Sequence, residues 1–243
     1  MTDKIKIFPN VKLGENVIIQ DWAIIGLPPP GVNPDQLETI IEDGSVIRSH
    51  TVIYAGTKIG KGFQTGHRVV LGPGCEIADS CSVGTSTVVK GFVSLADRAK
   101  IHSFCNIGIF TTLQSGAWVG PRCTIEGDSE NPVIIASGAL LGSTVYVKSG
   151  VRVGERSLVG AGVSLQQDVH PYHLVAGKPA KSIKSIEALT CPYNLIERPY
   201  EPDPEPIKAA AEDRYLHRSP AEYRQNSWRY QQWQLLGDRM PWF

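Results

Sequence analysis

The 243-residue sequence predicts an all-β fold: a parallel β-helix of hexapeptide repeats, followed by a helical extension. Two observations carry this. From Ile41 to Ile125 every sixth residue is Ile, Leu or Val at fourteen of fifteen positions, Thr65 being the exception, with no insertion or deletion over 85 residues. Four residues further on in each hexad stands a mostly small or β-branched residue, among them Ser45, Thr51, Cys75, Thr87, Ala99 and Cys123. A period of six is neither helical nor plain strand alternation; it is the mark of a stacked solenoid. In an extended segment alternate side chains share a face. Residue five of one hexad and residue one of the next therefore both point inward, and residues two to four turn a corner, where Gly60, Gly66, Gly72, Gly84 and Gly120 recur. Three hexads close a coil of about eighteen residues, and coils stack at roughly 4.8 Å.

The repeat begins before Ile41, with Ile7, Leu13, Ile19 and Ile25 in phase. Leu27 to Thr39 interrupts it with Pro28-Pro29-Pro30-Gly31, which cannot continue a strand and reads as a protruding loop. A second break falls between Ile125 and Ile135, where ten residues replace six. The repeat resumes at Ile135, Leu141, Val147, Val153, Val159 and Leu165, which makes 25 hexads, or about eight coils. The pattern stops at Pro171 and a mixed segment runs to about Leu189. Pro199, Pro202, Pro204 and Pro206 form a stiff linker, and a short helix is expected over Ile207 to Leu216. Ser219-Pro220-Ala221-Glu222 then reads as the cap of a second helix bearing Tyr223, Trp228, Tyr230 and Trp233. The expected division is a β-helical domain over residues 1–190 and a helical tail over residues 191–243. The tail is expected to cover the open end of the solenoid, the alternative being a part in binding or subunit contact.

Lysine plus arginine balance aspartate plus glutamate at 24 each, so no electrostatic footprint argues for nucleic acid. No run of eighteen apolar residues and no apolar signal core at the N-terminus is present, so the expectation is a soluble cytoplasmic protein with no membrane partner. Cys75, Cys81, Cys105 and Cys123 all occupy position five, the small inward slot, and read as packing residues.

Sorting the hexads by threes places His50, His67 and His102 at corners of a single edge of the prism, pointing outward. The outward residues on the wall beside that edge are Val52, Val70, Val88, Asn106 and Thr124, against mainly polar residues on the other two walls. An apolar outward stripe needs a cover, and a neighbouring protomer supplies one, which would set the histidines at a subunit seam. No metal is expected. No His-x4-His pair occurs, and His67 and His102 are two coils apart, about 10 Å, too far to share a zinc that sits ~2 Å from each nitrogen. Thr65 is expected to bond a corner carbonyl, since a buried hydroxyl needs a partner.

The end of the repeat reads Val159-Gly160-Ala161-Gly162-Val163-Ser164, then Gln167-Asp168-Val169-His170-Pro171, then Val175-Ala176-Gly177-Lys178-Pro179-Ala180-Lys181-Ser182-Ile183. This resembles the terminal coil of hexapeptide-repeat acyltransferases. The resemblance implies a left-handed parallel β-helix, a homotrimer, and acyl-CoA bound along the seam between subunits. By matching positions, Gly142, Ser143, Gly160 and Ala161 would follow the pantetheine arm, and Lys178 and Lys181 would face the nucleotide phosphates. Arg48-Ser49-His50, Phe63-Gln64-Thr65-Gly66-His67 and Ile101-His102-Ser103 further resemble enzymes that acetylate nucleotide-linked amino sugars. On that resemblance acetyl-CoA is the co-substrate and a small-molecule amine the acceptor. His102 is the expected base, with His67 second to it or orienting substrate, and His50, Gln64, Arg68, Asp128 and Asn131 contact the acceptor. The loop Gly127-Asp128-Ser129-Glu130-Asn131-Pro132 is shorter than the family's Asn-Asp-x-Tyr-Pro loop and lacks its first Asn. A scaffold without catalysis and a metal-dependent hydratase are the readings from other classes.

Overall fold

The computed structural model describes residues 4–186 and 205–217. Its strands form three parallel walls, and up to Ser164–Leu165 strand n pairs with strand n + 3. The first wall has nine strands, from Lys6–Ile7 to Ser164–Leu165. The second has eight, from Val11–Leu13 to Arg152–Val153, and the third has ten, from Ile18–Ile19 to Lys181–Ser185. Each inward residue sits directly over its equivalent in the next coil, as in the ladder Ile53, Leu71, Val89, Ile107, Ile125. All five are 1% exposed or less, so the interior is one continuous aliphatic column.

The solenoid runs one coil further than the sequence pattern indicates. Val169 bridges in parallel to Val153, and His173–Ala176 pairs with Leu158–Val159. The hexad after Leu165 is shortened by two residues, which puts the chain out of phase while Val169 and Val175 still point inward, 3% and 6% exposed. The coils therefore number nine, not eight. The segment after Pro171 is also regular, because Lys181–Ser185 folds back antiparallel on His173–Ala176.

The segment 27–39 does not protrude. It carries a short 3-10 turn at Pro34–Gln36 and lays Val32 and Leu37 against Ala55, Phe92 and Phe110 on the edge between the first and second walls. Phe92 and Phe110 are outward corner residues one coil apart, and they stack at 5.3 Å and are buried. Folding the loop over them removes a large aromatic surface from solvent.

Corners use two kinds of position. Position four takes a positive φ whatever its side chain: Trp22, His50, Arg68, Phe104 and Arg122 all lie between +55° and +67°. Position two is where adjacent coils approach most closely. A Cβ on Gly84 would lie 2.4 Å from the Ser103 amide nitrogen, and one on Gly66 would lie 2.2 Å from that of Thr85. Position five ties these corners together. Thr87 Oγ1 donates to the His102 carbonyl at 2.8 Å, and the Cys105 and Cys123 thiols donate to the carbonyls of Gly120 and Gly142. The four cysteines in the described residues are buried and free, and burial pushes the Cys81 thiol up to about 11, as packing residues require.

The helix expected at Ile207 to Leu216 spans Glu205–His217. Ala211 packs with Tyr172 and Ile186 beside Leu158 and Leu174, while Tyr215 lies 4.8 Å from the His170 ring. The helix thus lies along the outside of the last coils of the third wall. The second predicted helix lies outside the described residues, and no helix among those described is long and apolar enough to cross a membrane.

Candidate active-site edge

The edge between the third and first walls gathers the corners 20–22, 48–50, 66–68, 84–86, 102–104, 120–122, 142–144, 160–162 and 176–178, one per coil. His50, His67 and His102 all stand on it and are all exposed. Ser49 Oγ and His67 Nδ1 share a hydrogen bond at 2.8 Å across one coil, which leaves Nε2 of that imidazole for other partners. The His102 ring lies 4.5 Å from the Trp118 ring, which stands outward on the third wall. His50 is stacked with Trp22 at 6.3 Å.

From 66 to 160 the position-two residues of this edge are Gly66, Gly84, His102, Gly120, Gly142 and Gly160. His102 is the one side chain in a run of glycines. Gln64, Gly66, Ser82, Gly84, His102 and Ser103 line a depression of about 220 Å³ at its foot. Backbone is therefore bare to an incoming molecule above and below the imidazole. Thr87 fixes that corner from inside: its hydroxyl donates to the His102 carbonyl and accepts the Cys105 amide at 3.2 Å. Sorting position-two residues by edge reveals the glycine run in the sequence; the hydroxyl anchor has no comparable signal.

Thr65, expected to bond a corner carbonyl, instead accepts the amide N–H of Arg48 at 2.8 Å. At the corners above, the equivalent amide goes to a backbone carbonyl, as His102 N–H to the Val119 carbonyl at 2.9 Å; here the Thr65 hydroxyl takes its place. The effect is still to hold a corner of this edge.

The cofactor candidates come together at the top of the same edge. The backbone of Gly142 touches Gly160 and Ala161 one coil on, and Gly162 donates its N–H to the Ser143 carbonyl at 2.8 Å. The Lys178 ammonium lies over Gly162, beside Thr144, and Lys181 pairs with Ala176 in the terminal hairpin. A larger recess, about 630 Å³, opens at the end of the solenoid among Leu165, Val169, His173, Val175, Lys178 and Ala180. Its size makes it conspicuous, but it holds none of the three edge histidines, and it meets the edge at Gly177 and Lys178.

Asp128 and Asn131 are placed elsewhere. They lie on the loop between the first and second walls, so within one chain the first wall separates them from the histidines. Asp128 Oδ1 accepts the amides of Glu130 and Asn131 at 2.8 and 2.6 Å and the Asn131 side-chain NH2 at 3.2 Å. Burial pushes its carboxyl up, and the Asn131 and Glu130 amides, with the Asn131 and Ser149 side chains, bring it below its ordinary value. Both residues are occupied in shaping their own loop.

From Arg48 to Lys178 the corners of the histidine edge carry Arg48, Arg68, Arg122 and Lys178 and no carboxylate, while the edge between the second and third walls mixes Glu42, Asp43, Asp79, Asp97 and Glu155 with Lys61, Arg98 and Arg156. In a chain of zero formal charge this concentrates positive potential along the histidines and favours anionic ligands there. No cluster of metal-ligating side chains occurs among the described residues.

No protein-family model matches the chain. Sequence relatives include the bifunctional protein GlmU of Nitratidesulfovibrio vulgaris, 30% identical over 137 residues that make up 53% of this chain and 28% of that protein. GlmU of Thermotoga maritima is 26% identical over 190 residues, 62% of this chain and 43% of that protein. The chain thus spans less than half the length of these curated relatives. Among solved structures, LpxA, a UDP-N-acetylglucosamine acyltransferase from Bacteroides fragilis, matches with a TM-score of 0.67 at 18% identity, over 92% of this chain and 88% of that one. The UDP-N-acetylglucosamine acyltransferase from Campylobacter jejuni matches at 0.57 and 16% identity, over 96% and 94% of the two chains. The fold is the left-handed parallel β-helix of hexapeptide repeats, and the resemblance to hexapeptide-repeat acyltransferases holds in sequence and in fold.

Proposed function

We propose that this protein is an acyltransferase that moves an acetyl group from acetyl-CoA to the amino group of a nucleotide-linked amino sugar, working as a homotrimer with its sites at the subunit seams. The observation that carries this reading is the single imidazole in the glycine run: His102 beside bare backbone, with the Gly142–Gly162 corners and Lys178 above it on an edge whose corners from Arg48 upward hold no carboxylate. Lys178 is four coils above His102, about 19 Å at the strand spacing, a distance for a long thioester arm to bridge. The nucleotide phosphates of the donor would sit at Lys178 and Lys181, and its pantetheine would pass the small corners.

In the reaction the acceptor nitrogen attacks the thioester carbonyl, the C–N bond forms, the C–S bond breaks, and the thiolate leaves with the electron pair. The ammonium must lose one proton, and His102 accepts it; the proton is then available to the departing sulfur. A backbone N–H at a glycine corner supplies the donor for the oxyanion. His67, held by Ser49, orients the acceptor.

A second reading rests on the names of the structural neighbours. UDP-N-acetylglucosamine already carries an acylated nitrogen, so an enzyme acting on such a sugar would acylate a hydroxyl, with His102 as base again. Thiol release from acetyl-CoA, measured with UDP-linked sugars bearing a free amine and with their N-acetylated forms, separates the two. Release with the free amine alone supports N-acylation; release with the N-acetylated sugar moves the acceptor to a hydroxyl; release with neither overturns the proposal.

A further inference from the structure

The lower half of the histidine edge carries features that the chemistry at His102 does not use. Trp22 is 56% exposed on its corner and stacks with His50, the two ring planes inclined by 26°. A tryptophan held in the left-handed region, φ +67°, costs backbone energy and is presented to solvent rather than buried. Its corner is tied to the next by the Gln20 side chain, which accepts the Ser49 amide at 3.2 Å, and Asp21 is turned away to Lys4 at 3.1 Å. Arg48 shares the corner of His50, and Arg68 shares that of His67 one coil above, neither arginine with an ion-pair partner among the described residues. Rising along one edge, the order is Trp22, His50 with Arg48, His67 with Arg68, then His102 two coils further on.

We infer that this stretch is a nucleoside diphosphate subsite, with the base on the Trp22–His50 pair, the diphosphate on Arg48 and Arg68, and the sugar at His102. The inference rests on the proposed reading of the acceptor and adds its orientation: nucleotide toward the N-terminal coils, donor arriving from the C-terminal ones. Three coils separate the His50 and His102 corners, about 14 Å at the strand spacing, which a base, ribose, two phosphates and a sugar ring fill laid end to end. An exposed indole offers any base a π-face, and an arginine fork suits a phosphate. The two substrates then meet head-on at His102 without competing for the same corners.

The test is calorimetric titration of UDP, dTDP, CDP and GDP, each alone, with inorganic pyrophosphate as the base-free probe. The tightest nucleotide should bind Trp22→Ala at least about tenfold more weakly than wild type, the share of one stacked base, with pyrophosphate binding unchanged. Arg68→Ala should weaken both. Trp22 is exposed, so the variant should keep its fold, checked by circular dichroism; a variant that does lose its fold is replaced by Trp22→Phe, which should retain nucleotide affinity within about threefold if stacking is the interaction. Equal nucleotide affinity in Trp22→Ala and wild type, or no nucleotide binding to wild type, overturns the subsite. Thiol release with an amino-sugar 1-phosphate, which has no base, reports acyl transfer separately. Loss of transfer with Trp22-dependent binding intact rejects the acyltransferase reading alone; the reverse rejects the subsite alone.

Discussion

His102 interrupts the run of position-two glycines from Gly66 to Gly160 and lines the depression with Gln64 and Ser82. If it takes the acceptor's proton, His102→Asn should lower kcat by about 10²–10⁴ with little change in KM for acetyl-CoA, and the acidic limb of the pH–rate profile should vanish. Steady-state kinetics checks this; a variant keeping more than about a tenth of wild-type kcat would assign the proton to water or substrate. Asp128 offers a second test at this scale, with the opposite logic. Its carboxyl is held below its ordinary value, so its contribution is present above the unfolded-state value and is lost as pH falls through the folded one. Hydrogen exchange of the Glu130 and Asn131 amides should therefore quicken as pH falls below the ordinary carboxylate range, after allowing for the intrinsic pH dependence of exchange. In Asp128→Asn the same amides should lose protection at neutral pH and show no further acid-induced loss. Because Asp128 is occupied in this way, the substitution should leave acceptor KM nearly unchanged; a large rise would return it to the substrate site.

The element that matters is the corner, and its two glycine uses give different mutational costs. Gly84 has no positive φ, but its Cβ would sit 2.4 Å from the Ser103 nitrogen, so Gly84→Ala must push the His102–Ser103 corner away. It should destabilise by about 1–3 kcal/mol, the range for overpacking, and should also reduce activity. Gly116 has a φ of +68° and nothing within 4 Å of its would-be Cβ. Gly116→Ala should cost about 1–2 kcal/mol of left-handed strain and leave activity untouched, since its corner is on another edge. Thermal unfolding alongside thiol release compares the pair. The sequence made the corners legible as triplets, because inward aliphatics recur at a strict six. It did not show which glycines a close approach requires, since glycine also recurs at the positive-φ position four, where Trp22, His50 and Arg68 serve equally, and only stacked coils show which backbone faces which. Phe92 and Phe110 were illegible for a related reason: at corners they look solvated until Val32 and Leu37, from a loop far upstream in the chain, fold onto them.

At the scale of the whole molecule, the repeat disclosed the solenoid almost entirely and its ends poorly. Period counting fails at Val169, four residues after Leu165 instead of six, and with it the ninth coil. The histidine edge was legible from the sequence by phase alone, whereas Ser49 on His67 and Thr87 on His102 depend on the spacing between coils, which no period encodes. The same phase argument puts Val52, Val70 and Val88 in one ladder on the first wall, directly beside that edge, with Val88 37% exposed. Among the described residues Val52 and Val70 are half-buried and Val88 is exposed, and a second copy laid on this ladder would bring its own surface against the histidines of the first. Val70 is the middle rung, and its side chain points away from the interior column. Within one chain, Val70→Glu therefore places a carboxylate at the surface and should leave the fold alone. In a trimer the same carboxylate is buried without a partner at each of three seams, at a cost of several kcal/mol each. Light scattering should then find wild type as a trimer of the 26.5 kDa chain and Val70→Glu as a monomer with unchanged β-sheet circular dichroism. Thiol release should fall with the assembly, because the monomer retains His102 but loses the opposing surface. A monomeric wild type, or a Val70→Glu trimer of normal stability, would remove the first wall from the interface and leave the histidine edge to work as a single-chain site.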